Sequence, residues 1–106
     1  MVDIKLSLQT LEFQVDGHAR AGEFGQDLIC CAVSVLVQTL IRNMEVAYER
    51  GELQYLDEEV RDGHVYLMPH PYGWSLQNIV TAYRVIREGL RALSEQYEQY
   101  IRLEEE

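Results

Sequence analysis

The sequence predicts a single α+β domain over residues 1–106, a small antiparallel sheet packed with two helices in the order ββαββα. Three observations lead there. Ile4, Leu6 and Leu8, then Leu11, Phe13 and Val15, alternate with polar residues, the period of half-buried strands. From Leu28 to about Arg50 the polar positions Asp27, Ser34, Gln38, Arg42, Glu45 and Glu49 share one stripe of an otherwise apolar helical run. Leu76, Ile79, Val80, Tyr83, Ile86, Leu90, Leu93 and Tyr97 recur at the spacing of a second amphipathic helix.

The first two alternations have opposite parity. A straight strand would show its apolar side chains on both faces, so the flip at Gln9-Thr10 requires a tight turn or a bulge, read here as a short hairpin. Residues 17–26, with Gly17, Gly22 and Gly25, read as a loop, and Asp27 as the cap of the first helix. That helix, apolar over most of its circumference, is expected in the middle of the fold, and Gly51 ends it. Leu53–Leu56 and His64–Met68 read as strands joined by the acidic segment 57–63. Pro69 and Pro71 mark the segment through Trp74 as a loop, Ser75 caps the second helix, and Tyr100–Leu103 could add a short strand.

A chain of 106 residues can bury one core but not two. No segment approaches the ~20 apolar residues of a membrane span, and the start has an early acid rather than the apolar core of a secretory leader. A cytoplasmic protein with reduced thiols is therefore expected. The two cysteines are adjacent; on a helix their side chains diverge by ~100°, so they are poorly placed to bridge each other. With three scattered histidines they make no zinc spacing, and neither a metal nor a cofactor is expected. A formal net charge of −9 repels phosphate backbones, which argues against nucleic acid as a partner and for tolerance or steering of a basic one. Part of that charge, Glu104-Glu105-Glu106, reads as a frayed tail.

The chemistry-bearing stretch runs from Gly17-His18-Ala19 through Gly22, Gly25 and Asp27 to Cys30. It places an imidazole just after a strand and a thiol just inside a helix. A thiolate is a strong nucleophile, and an imidazole can take its proton near neutral pH, an arrangement that points to a cysteine hydrolase, most readily a peptidase. With Asp27 as cap, Cys30 falls in the first helical turn, where free N–H groups would stabilise a thiolate and supply oxyanion donors.

Gly17-His18-Ala19, then Gly25-Gln26-Asp27-Leu28-Ile29-Cys30, Ala32-Val33-Ser34-Val35-Leu36 and Gln38-Thr39 resemble the ribosomal-processing cysteine protease family (Prp). The separation of twelve residues between His18 and Cys30 fits that family's pattern without a gap. The resemblance implies a bacterial peptidase that removes a short N-terminal extension from a large-subunit ribosomal protein, cutting next to paired phenylalanines, and that forms a homodimer. It implies His18 and Cys30 as the catalytic dyad, with Asp27 and Ser34 in supporting positions. Helical geometry alone does not choose between Cys30 and Cys31, which fall ~40° and ~60° to either side of Ser34; the motif register selects Cys30. Arg20 stands where the family has glycine, Ala21 where it often has an aromatic, and Cys31 where it has alanine.

Each residue also has a plainer reading. Asp27 is a helix cap or an orienter of His18, and its charge argues against close contact with the sulfur. Ser34 packs or hydrogen-bonds one turn below Cys30. The Gly22–Gly25 loop would close over substrate. His64 and His70 read as bystanders, and Trp74 as closing the core or a dimer contact. The altered loop positions Arg20 and Ala21 keep open a non-catalytic dimeric binding module in ribosome assembly, and the thiol pair a redox sensor.

Overall fold

The computed structural model describes residues 1–17 and 24–106, with the backbone alone at 24–27. In chain order the elements are β1 (Val2–Leu6), β2 (Phe13–Asp16), α1 (Phe24–Glu49), β3 (Leu53–Arg61), β4 (His64–Pro71), α2 (Leu76–Gln96) and β5 (Ile101–Glu105). The strands form one sheet in the order β3-β4-β2-β1-β5. Three of its pairings are antiparallel, but β1 and β5 run parallel, so the sheet is mixed rather than purely antiparallel. The pairings make β2 run the same way as β3, and β4 the same way as β5, and such pairs need a long crossover. α1 and α2 are those crossovers.

The predicted β1–β2 hairpin is present, with Ile4 opposite Val15 and Leu6 opposite Phe13. Its turn is held by Ser7, whose Oγ accepts the N–H groups of Gln9 at 3.1 Å and Thr10 at 3.0 Å. Leu11 takes a left-handed backbone at φ 66°, unusual for a branched residue, and its side chain is buried. This kink turns Leu11, Phe13 and Val15 to the same face as Ile4 and Leu6, which accounts for the parity flip.

Elsewhere the strands are longer than predicted. β3 runs through the acidic segment to Arg61, and only Asp62 and Gly63 turn, with Gly63 at φ 74°. Pro69 and Pro71 lie inside β4 rather than in a loop. They are tolerated because β2 pairs with β4 only from His64 to Leu67, leaving β4 with a single strand partner beyond that point. Glu104 and Glu105 are not a frayed tail: they pair with Lys5 and Leu6, and Arg91 Nη2 meets Glu105 Oε1 at 2.5 Å.

The core lies between one sheet face and the two helices. Val2, Ile4, Leu6, Phe13, Leu53, Leu67 and Ile101 meet Leu40 and Met44 of α1 and Ile79, Tyr83, Ile86 and Leu90 of α2. Phe13 and Tyr83 contact edge to face, their centroids 6.4 Å apart. α1 is not surrounded. Ile29, Val33, Val37, Leu40, Met44 and Ala47 form one buried stripe, while Leu28 and Val35 are 56% and 61% exposed. With Ser34, Gln38 and Thr39 uncharged, Leu28–Glu49 has a mean hydropathy of 1.4 and is long and apolar enough to cross a membrane, contrary to the expectation that no segment is.

α1 ends where Gly51 was expected to end it. Gly51, at φ 77°, donates to Tyr48 and Glu52 to Ala47, the paired bonds of a Schellman motif. Ser75 occupies the N-cap position of α2 but makes no side-chain cap bond. Trp74 closes no core: it is 69% exposed and stacks on Tyr72 at 5.8 Å.

Candidate active site

α1 begins at Phe24, earlier than its apolar pattern suggests. Two sequence readings change with it. Asp27 is the fourth helical residue, not the cap, and Gly25 lies in the first turn rather than in a loop. Cys30 is the seventh helical residue, beyond the four whose N–H groups lack a helical acceptor and beyond the turn where the helix dipole acts most strongly. The helix start therefore supplies neither the thiolate stabilisation nor the oxyanion donors expected from a first-turn cysteine.

Burial separates the two thiols. Both are free, Cys30 half-buried and Cys31 exposed. Cys30 follows Ile29 on the buried stripe and, with Ser34 one turn on, faces a pocket between α1 and the sheet. That pocket has a volume of about 150 Å³. Val2, Val15, Val33, Val37 and Val65 make its apolar walls, and Gly17, Arg61, Gly63 and His64 also border it. Ser34 Oγ accepts Gln38 Nε2 at 2.9 Å, which fits the packing and hydrogen-bonding role read from its position.

Of the predicted site residues, Gly17, Cys30 and Ser34 line this one pocket. His18 and Gly22 lie outside the described residues, as do Arg20 and Ala21, and Asp27 is described by its backbone only.

Sequence reasoning missed Arg61, Gly63 and His64 as lining residues. The signal for them was Asp62-Gly63, a turn pair between two alternating runs that would have closed a hairpin beside Gly17. His64, read as a bystander, lies with Nδ1 2.5 Å from Asp16 Oδ1, and Gln14 donates to the other carboxylate oxygen at 2.6 Å. The hydrogen bond from His64, reinforced by Gln14, holds the Asp16 carboxyl below the usual carboxylate range. His70 pairs instead with Asp57 at 3.1 Å, on a different part of β4.

A second, acidic groove runs between α1 and β3, lined by Glu45, Tyr48, Glu49, Tyr55, Leu56 and Glu58. Partial burial, then the adjacent Glu45, pushes the Glu58 carboxyl above its ordinary range. Among the described residues no group of three or more His, Cys, Asp or Glu side chains is placed to hold a metal ion.

A half-buried thiol opening on an apolar pocket can present sulfur to a peptide carbonyl while a neighbouring apolar side chain is held in place. The pocket's volume is roughly that of an engineered apolar cavity that accepts benzene.

Comparison with known proteins bears on this arrangement. The model of the cysteine protease Prp family matches residues 1–102. No curated protein matches. Among solved structures, the essential ribosomal processing protease Prp from S. aureus with a covalently linked product peptide superposes with a TM-score of 0.76 at 19% identity, covering 100% of both chains. The same S. aureus protease with a substrate peptide gives 0.75 at 19% identity, again over 100% of both chains. SMU.848 from Streptococcus mutans gives 0.69 at 21% identity, over 98% of this chain and 90% of that one. At these identities the structures establish a shared fold.

Proposed function

The chain belongs to the cysteine protease Prp family and is a cysteine peptidase, and from that premise we propose that Cys30 is its nucleophile, His18 its base, and the N-terminal extension of a large-subunit ribosomal protein its substrate. The observation that carries the assignment of the nucleophile is the placement of Cys30, and not Cys31, in the lining of the apolar pocket.

The chemistry follows from those two groups. His18 takes the thiol proton as Cys30 Sγ bonds to the scissile carbonyl carbon, and the carbonyl oxygen takes up the negative charge. On collapse the C–N bond breaks, His18 returns the proton to the leaving amine, and a thioester remains on Cys30. Water, deprotonated by His18, then attacks the thioester and frees the thiol and the new carboxylate.

Two features support the substrate. The pocket beside Cys30 suits one aromatic ring, as expected for cleavage next to phenylalanine. The net charge of −9 favours a basic partner, and proteins that contact ribosomal RNA phosphates do so with lysine and arginine. Leu28 and Val35 on the open side of α1 supply apolar surface for a homodimer.

The test is cleavage. The protein is incubated with peptides spanning the N-terminal extensions of its host's large-subunit proteins, and products are read by mass. A cut beside phenylalanine, absent in Cys30→Ala, is the expected result. No cut of any extension peptide would overturn the substrate assignment.

A further inference from the structure

Asp16 and Gly17 immediately precede His18 in the chain, and a set of contacts fixes both. Asp16, the last residue of β2, pairs in register with His64, the first residue of β4. Both oxygens of its carboxylate are engaged, one by His64 Nδ1 at 2.5 Å and one by Gln14 Nε2 at 2.6 Å. One residue on, the Gly17 N–H donates to the Gly63 carbonyl at 2.9 Å. Gly17 has φ 96°, and a Cβ there would collide with the Met1 carbonyl oxygen.

Strand alternation sets these groups apart from the sulfur. Val15 and Val65 face the pocket, so the side chains of Asp16 and His64 sit side by side on the sheet face away from α1. They are badly placed to act on Cys30 directly. What they control is the point at which the chain leaves β2. Gly17, Gly63 and His64 also border the pocket that Cys30 lines, so that exit point lies at the nucleophile's own pocket.

We propose that Asp16 and His64 are positioning residues, whose hydrogen bond locks the end of β2 to the start of β4 and so sets where His18 stands relative to Cys30. This rests on the reading of His18 and Cys30 as base and nucleophile. A hydrogen bond to an ionised carboxylate is roughly twice as strong as a neutral one, and it resists sliding of the strand end. The Asp16 carboxyl, ionised at neutral pH as any ordinary aspartate is, is held below its usual range by the same His64 contact. A displacement of the base by ~1 Å costs on the order of 10²-fold in rate.

The experiment is a double-mutant cycle on the full chain, read by extension-peptide kinetics and by the pH profile of Cys30 alkylation with iodoacetamide. His64→Ala should lower kcat about 10- to 100-fold with KM little changed, and move Cys30 alkylation to higher pH. His64→Asn, whose side-chain amide can stand near the place of Nδ1, should recover most of both. In a His18→Ala background, His64→Ala should change the alkylation profile no further. Wild-type kcat in His64→Ala, or the same shift in both backgrounds, would overturn the proposal. Should His64→Ala not fold by circular dichroism, Asp16→Asn replaces it in the same cycle, keeping the shape while removing the charge. The underlying reading fails separately: it falls if His18→Ala itself cleaves at the wild-type rate.

Discussion

Ser75 Oγ donates to the Glu52 carbonyl oxygen at 2.6 Å and accepts the Tyr72 N–H at 3.0 Å, with the Ser75 side chain fully buried. Glu52 is the residue that closes the Schellman motif of α1, and Ser75 is the N-cap position of α2. One hydroxyl therefore ties the exit of the first helix to the entry of the second. Ser75→Ala leaves the half-buried Glu52 carbonyl and the Tyr72 N–H without that partner. The expected loss is about 0.5–1.5 kcal/mol in denaturant unfolding, with the slope unchanged.

Gly17→Ala should destabilise the chain as well as impair it. The residue is held at φ 96° and a Cβ would meet the Met1 carbonyl. Strain of roughly 1–3 kcal/mol is expected from the backbone alone. A thermal melt measures it, and an unchanged melting temperature would mean that the Met1 end moves aside freely.

The two thiols should separate cleanly. Cys30→Ala should eliminate extension cleavage, and His18→Ala should lower it about 10²-fold or more. Cys31→Ala should cleave near the wild-type rate, because Cys31 is exposed and lies outside the pocket lining. Peptide mapping after brief iodoacetamide treatment should find the faster label on Cys30. Activity lost only in Cys31→Ala would mean that the motif register is off by one.

Glu58 gives a pH-dependent prediction. Its folded-state pKa lies above the unfolded value of 4.5, because burial and then the neighbouring Glu45 disfavour its charged form. A raised carboxyl contributes stability that is fully present below the unfolded pKa and lost as pH rises through the folded one. Glu58→Gln should therefore raise the melting temperature at pH 7 and leave it little changed near pH 4. The reverse pattern would show that the carboxylate is stabilised where it sits.

Light scattering at micromolar concentration should give about twice the monomer mass of 12.3 kDa. Val35→Glu, placed on the exposed side of α1 at 61% exposure, should return it to one mass without unfolding the chain. A wild-type monomer would remove the dimer.

Much of this fold was legible because the period of the apolar residues is local. The parity flip between Leu8 and Leu11 required a kink, and a kinked hairpin is present. What escaped prediction depended on neighbours distant in sequence. Nothing near Pro69 says that β2 stops pairing at Leu67 and leaves room for proline in a strand. The apolar circumference of α1 suggested enclosure, yet a single sheet face can cover only one stripe of a helix. At the candidate site, Gly17, Cys30 and Ser34 were named from the sequence and line one pocket, whereas the Asp16–His64 pair beside it was not, since those two residues are 48 positions apart. The helix start was misplaced because Asp27 carries a cap's chemistry three residues inside α1.

The parallel pairing of Val2 with Ile101 sets an order on folding. Hairpins such as β1–β2 and β3–β4 close short loops and can form early, whereas β5 must find β1 across almost the whole chain, a closure whose entropy is lost before any bond repays it. Until then one edge of β1 stays open, its N–H and C=O groups a template for any extended segment. β5 is thus the latch of the domain. A change that loosens it, such as Glu105→Gln, which weakens the hold of Arg91, should open the sheet at this edge before the core gives way.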